Sequence, residues 1–132
     1  MNLKIGDAFS VSREVTDELV RQFADVSGDY NPIHLDDEFA AQTRFGQRIA
    51  HGMLSASFIS AVLGYRMTDR KIVYLSQNLR FVAPVFLGDT VTARATVKEV
   101  REDKPIVTIE TVCENQHGAT LITGEAKIMV ME

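Results

Sequence analysis

The chain has 132 residues, 45% of them hydrophobic and 24% charged, and a net charge of −4 at pH 7. These values fit one folded domain over residues 1–132 with a modest core, and they exclude a disordered or low-complexity chain. The negative balance and the lack of any Lys/Arg run argue against nucleic acid as a partner. The single cysteine, Cys113, cannot close an internal disulfide and reads as strand packing. The opening stretch MNLKIGDAFSV has no charged-then-apolar signal pattern. The apolar-rich stretch from Met53 to Leu63 is too short to span a bilayer. A reducing compartment, the cytoplasm by default, and no membrane partner are the expectations.

Residues 3–15 predict a short strand with a Gly6-Asp7 turn. Thr16 stands where a helix N-cap belongs, with Asp17 and Glu18 in the first turn to favour the helix dipole. Leu19, Val20, Phe23, Ala24 and Val26 follow at helical spacing, and Ser27-Gly28 stops the helix. Asn31-Pro32 keeps the chain extended. Asp36 can cap a second short helix through Phe39 and Ala41. After a loop from Thr43 to His51 comes GMLSASFISAVLG, a helix with no charged face, which must be buried on most sides.

From Lys71 the period changes to two. Val91, Ala93, Ala95 and Val97 alternate with polar residues, as do Val107, Ile109, Thr111 and Cys113. Ile122, Gly124, Ala126 and Ile128 form a last strand. Turns fall at Gly88-Asp89, at Glu102–Pro105 and at Gln116–Gly118. The strand from Ile72 should end or bulge near Pro84. One apolar helix with an antiparallel sheet is an α+β layer architecture, the sheet wrapping the helix. A sheet of about five strands leaves an edge open, and pairing two edges across a two-fold axis predicts a homodimer.

The run Gly28-Asp29-Tyr30-Asn31-Pro32-Ile33-His34 carries a carboxylate and an imidazole in one proline-stiffened loop, able to aim into a single cleft. Ala50-His51-Gly52-Met53 ends where the apolar helix begins. The unpaired N–H groups of that helix start, with Gly52 allowing close approach, make a site for an oxyanion. His51 could touch substrate, but alone it reads as a structural hydrogen-bonding residue. His117 reads as a solvated turn, Asp36–Glu38 as helix-start charges, and Ser55 and Ser57 as small packing residues. Arg70, Lys71 and Arg80 are candidates to meet phosphates of a carrier. Leu63, late in the helix, is a candidate for setting pocket depth. Three histidines and one cysteine give no recognisable metal-ligand set, so no metal and no cofactor are expected.

The segments FADVSGDYNPIHLDDEFA, FGQRIAHGMLSASFISAVLG and YLSQNLRFVAPVFLGDTVTARATV resemble the MaoC-like hot-dog enzymes over nearly the whole chain. The resemblance is strongest to R-specific enoyl-CoA hydratases and 3-hydroxyacyl-thioester dehydratases. It implies a hot-dog fold, with the long helix as the sausage, and a dimer with two thioester sites. Asp29 and His34 would hold and activate the catalytic water, and Asn31 would support the site and its substrate. Gly52 would give a backbone N–H to the thioester carbonyl, and Ser60 would assist at the site.

The chemistry suits those residue types. Hydrating a 2-enoyl thioester places hydroxide on C3 and a proton on C2, so one group takes a proton and another delivers one. A histidine serves either role. The implied activity is reversible R-specific hydration of trans-2-enoyl-CoA. The alternatives are dehydration of 3-hydroxyacyl chains on acyl carrier protein, or a non-catalytic subunit that binds acyl thioesters. The sequence leaves acyl length and carrier open.

Overall fold

The computed structural model describes residues 3–66 and 71–131. The chain opens with β1 (Ala8–Glu14), then α1 (Asp17–Ser27), α2 (Pro32–Leu35), α3 (Asp37–Ala41) and α4 (Gly52–Ala61). A π-helical turn over Val62–Arg66 extends α4. The rest is strand: β2 (Lys71–Phe81), β3 (Thr90–Val100), β4 (Ile106–Glu114) and β5 (Thr120–Met131). All pairings are antiparallel, in the order β1-β3-β4-β5-β2, so β1 and β2 are the two edges.

The alternation read from the sequence sets the core face. Val91, Ala93, Ala95 and Val97 on β3 are all buried, as are Val107, Ile109 and Cys113 on β4 and Ile122, Ala126 and Ile128 on β5. α4 lies on that face, chiefly against β3. The two alanines of β3 leave room for the helix, and Phe58, Ile59, Val62 and Leu63 fill the gap. Fully burying a side chain such as Ile59 contributes roughly 1.5–3 kcal/mol. Cys113 sits in this core with Sγ 3.7 Å from the Ser55 carbonyl, and burial pushes its thiol pKa up to about 12. It packs, as expected.

The strand from Ile72 ends at Phe81, three residues before Pro84. Its seat on β5 needs Gly124, where a Cβ would come within 2.1 Å of the Asn78 carbonyl oxygen. Ala50 and Val85 are joined by a backbone hydrogen bond of 2.7 Å, and Ile49 bridges to Phe86. Those contacts tie the start of α4 to the segment leaving β2. The site is built at that junction.

Candidate active site

α1 begins as the sequence predicts, the Thr16 hydroxyl accepting from the Leu19 N–H at 3.1 Å. It ends at Gly28, which takes φ 80° and returns its N–H to the Ala24 carbonyl. The left-handed turn favours glycine and releases the chain into a tight loop. Asp29 is held there from both sides. Its N–H donates to Ser27 Oγ at 3.1 Å, and its Oδ1 accepts the Asn31 N–H at 3.2 Å.

The sequence places Asp29 and His34 together in a loop. The structure keeps Asp29 in the loop but seats His34 on the one-turn helix α2. Asn31 stays extended (φ −54°, ψ 126°) as the residue before a proline does, and its Oδ1 caps α2 by accepting the Ile33 N–H at 3.1 Å. Pro32 opens the helix, where its missing N–H costs nothing. Asn31 is thus a backbone cap beside the site. Asp36 caps α3 in the predicted way, accepting from Phe39.

His34 is buried, and its Nδ1 lies 2.7 Å from the Ile49 carbonyl oxygen. A carbonyl only accepts, so the proton belongs on Nδ1 and Nε2 keeps its lone pair. Burial holds the pKa of His34 below its ordinary value of 6.5. The Ile49 bond and the Asp29 charge oppose that shift, and His51 adds to it. The ring is therefore neutral at pH 7.

Residues 48–51 clasp the whole loop. Buried Arg48 donates through Nε to the His34 carbonyl at 2.7 Å and reaches Asp17 on α1 at 2.5 Å. Arg48 first, and Arg21 second, hold the Asp17 carboxyl below its usual range. The Ile49 N–H donates to the Ile33 carbonyl at 3.3 Å. His51 lies with Nε2 2.9 Å from the Asp29 carbonyl, and its ring stacks on His34 at 3.9 Å. The result is convergence: Asp29, His34 and His51 each place a donor or acceptor atom within 4.8 Å of the others. Such a trio resembles a metal-ligand set, but two of its ring nitrogens are committed to backbone carbonyls.

A cavity of about 470 Å³ opens beside this group, within the size range of small-molecule sites. His34, Gly52 and Ser55 form one wall, and Phe81, Val82, Ala83, Pro84 and Val85 another. Gly52 is the first residue of α4, and no side chain caps that end of the helix. A Cβ on Gly52 would come within 2.8 Å of two atoms of the Phe81 ring, so glycine lets that ring lie against the helix start.

Other expected residues sit elsewhere. Ser60 is exposed and does not line the cavity. It is eight residues beyond Gly52, turned by roughly 80° and displaced about 12 Å along an ideal helix. Ser55, read from sequence as packing, lines the cavity, being one turn on from Gly52 and on the same face. Leu63 is buried in the core and does not line the cavity. Lys71 and Arg80 do not line it either, and Arg70 lies outside the described residues. The cationic side chain at the cavity is Arg44, over the Phe45 ring at 4.9 Å. His117 is exposed in its turn, as expected.

A five-stranded antiparallel sheet around one apolar helix, with a cleft at the helix start, is the hot-dog architecture. The MaoC like domain matches residues 4–118, and the chain belongs to that family. It is 45% identical over 127 residues to the (R)-specific enoyl-CoA hydratase of Aeromonas caviae, covering 96% of this chain and 95% of that one. It is 44% identical to the (R)-specific enoyl-CoA hydratase of Rhodospirillum rubrum over 98% of this chain and 89% of the relative. Among solved structures, the (R)-hydratase from A. caviae involved in PHA biosynthesis superposes with a TM-score of 0.95 at 44% identity. That match covers 99% of each chain. Unliganded R-hydratase PhaJ1 from Pseudomonas aeruginosa gives a TM-score of 0.93 at 41% identity, over 98% of this chain and 83% of that one.

Proposed function

We propose that this chain is a hydro-lyase that adds water to trans-2-enoyl-CoA and forms (R)-3-hydroxyacyl-CoA, reversibly. The observation that carries the reading is the convergence of Asp29 and His34, within 4.8 Å, beside a largely apolar cavity. The near-full-length likeness to (R)-specific enoyl-CoA hydratases supports it.

In this reading Asp29 and His34 hold one water between them. His34 is neutral with a free Nε2, and the Asp29 carboxyl lies beside it. One of the two removes a proton as the water oxygen bonds to C3. That same group then delivers the proton to C2, while the other accepts the water's remaining O–H, so hydroxide and proton are both accounted for. Negative charge grows on the thioester oxygen as the C2 carbanion delocalises into an enolate. The Gly52 N–H, first in α4 and without an intrahelical acceptor, is the donor for that oxygen. The acyl chain lies along Phe81–Val85.

The second copy is part of the proposal. β2 is an edge strand, and Val73, Tyr74, Leu75, Phe81 and Val82 on and after it are all 39% exposed or more. An exposed apolar edge of that length is a ready pairing surface. We place β2 against its symmetry mate in a homodimer. The lone buried thiol suits a reducing compartment such as the cytoplasm. Among the described residues no helix is long and apolar enough to cross a membrane.

The test is to offer purified protein trans-2-enoyl-CoA of several lengths and the matching acyl-carrier-protein thioesters. Loss of conjugated enoyl absorbance with (R)-3-hydroxyacyl product is the expected result. Faster turnover on the carrier-protein arm would move the reading to a dehydratase of carrier-bound chains. No turnover in either arm would overturn it.

A further inference from the structure

His51 takes part in no step of the proposed reaction, yet it is only 2% exposed and lies between the two groups that do. Its ring stacks on His34 at 3.9 Å with 29° between planes, and Phe23 of α1 closes on it at 4.9 Å and 56°. Its Nε2, 2.9 Å from the Asp29 carbonyl oxygen, must be the donor. Its Nδ1 is buried with no hydrogen-bond partner.

That unpaired nitrogen excludes packing as the whole explanation. A phenylalanine would fill the space between Phe23 and His34 without burying an unsatisfied polar atom. It would not donate to Asp29. A glutamine would donate but offers no flat face to His34. Lysine or arginine would donate with a fixed positive charge beside a histidine that must stay neutral. Imidazole meets both demands in a ring small enough to fit between Phe23 and His34.

We infer that His51 is the positioning residue of the acid–base pair: its Nε2–H holds the Asp29 backbone while its ring face sets the plane of His34. It acts through those two residues and touches no reacting atom. The inference rests on the proposed roles of Asp29 and His34. Its two links are independent of each other, one a hydrogen bond to the loop and one a stacking contact with α2. Together they fix the separation on which a shared water depends, where small misplacements are costly.

The experiment compares His51→Ala, His51→Gln and His51→Phe in steady-state hydration and in an NMR titration of the His34 ring. His51→Ala should lower kcat by about 30-fold or more with KM within about threefold, the pattern of a lost transition-state geometry. His51→Gln, which keeps a donor for Asp29, should recover about tenfold of that loss. The titratable and charged groups facing His34 are Asp29, the His51 ring and the Arg48 guanidinium on its carbonyl. Removing the stacked ring in His51→Gln should therefore raise the His34 midpoint.

The inference is overturned if His51→Ala keeps kcat within about threefold, if Gln is no better than Ala, or if the His34 midpoint stays put. Should the alanine variant not fold, Gln must still exceed Phe by about fivefold in kcat, and equality would overturn it. If the wild-type protein hydrates no enoyl thioester, the reaction fails, and the His34 titration still decides what His51 does.

Discussion

At and behind one wall of the cavity, His34 and the side chains that brace it are tied to backbone. His34 donates to Ile49, His51 lies on Asp29, Arg48 donates to His34, and Asn31 caps Ile33. On the facing wall, Phe81, Val82, Ala83, Pro84 and Val85 carry no polar side chain, and Phe81 and Val82 are about half exposed. Backbone carbonyls move only with the chain, so the first wall holds its groups to a fixed geometry. The second has no polar side chain to anchor and adapts by side-chain rotation. In the proposed reaction, precision falls to the reacting end of the substrate and tolerance to its tail.

Substitutions on the polar wall break that division most severely. Asp29→Asn and His34→Ala should each lower kcat by roughly 10²-fold or more, the usual contribution of a positioned acid or base. Circular dichroism should show both variants still folded, because neither side chain belongs to the apolar core. Near-normal turnover in either variant would remove that residue from the mechanism.

The next effect comes where the walls touch. Gly52→Ala drives a Cβ into the Phe81 ring, whose nearest atoms stand at 2.8 Å. The ring is half exposed and can swing away, so the fold should survive while the cavity changes shape. We expect activity to fall about tenfold, with the double variant Gly52→Ala/Phe81→Leu recovering most of the loss, since contacting residues are not additive. Additive losses would show that the two walls do not communicate at this contact.

A third test asks whether the apolar wall is complete in one chain. Leu75→Lys puts a charge on the exposed apolar edge of β2 without touching the polar wall. Ultracentrifugation should report a dimer for the wild type and a shift toward monomer for the variant. Activity should fall with the dimer fraction. A wild-type monomer with full activity would end the proposal of edge pairing and leave the polar wall untouched.

The same division governs how much could be read in advance. The α1 caps at Thr16 and Gly28, and the alternation through β3 and β4, depend on neighbours within a few residues and were legible. Asp29 and His34 were legible because motif spacing brought them together. α2 was not, since four residues are too few to show a helical period and the proline read as a loop signal. The Phe81–Val85 wall was not, because its meeting with Gly52 is a contact between distant segments. Nothing in the local pattern around Arg48 marks it, and only the fold reveals it buried between α1 and α2. Ser55 was within reach: the helical repeat from Gly52 places it, and not Ser60, on the face that starts the cleft.

The smallest effect expected is one of pH, and it isolates the polar wall because the other carries no ionisable group. In the proposed reaction His34 acts as a neutral ring, and burial sets its pKa below the ordinary 6.5. The plateau of kcat/KM should therefore extend below pH 6.5 and fall only as pH drops through the lowered value. The sign for stability follows from the same shift. Between the lowered folded value and the ordinary unfolded one, the unfolded chain binds more protons, so stability rises with pH across that window. The contribution is complete above pH 6.5 and is lost as pH falls through the folded value. Replacing His34 by glutamine, which cannot titrate, should flatten that part of the stability profile. Chemical denaturation of the two proteins across pH 5 to about 7 would show it, and parallel curves would mean that His34 is not the group held neutral.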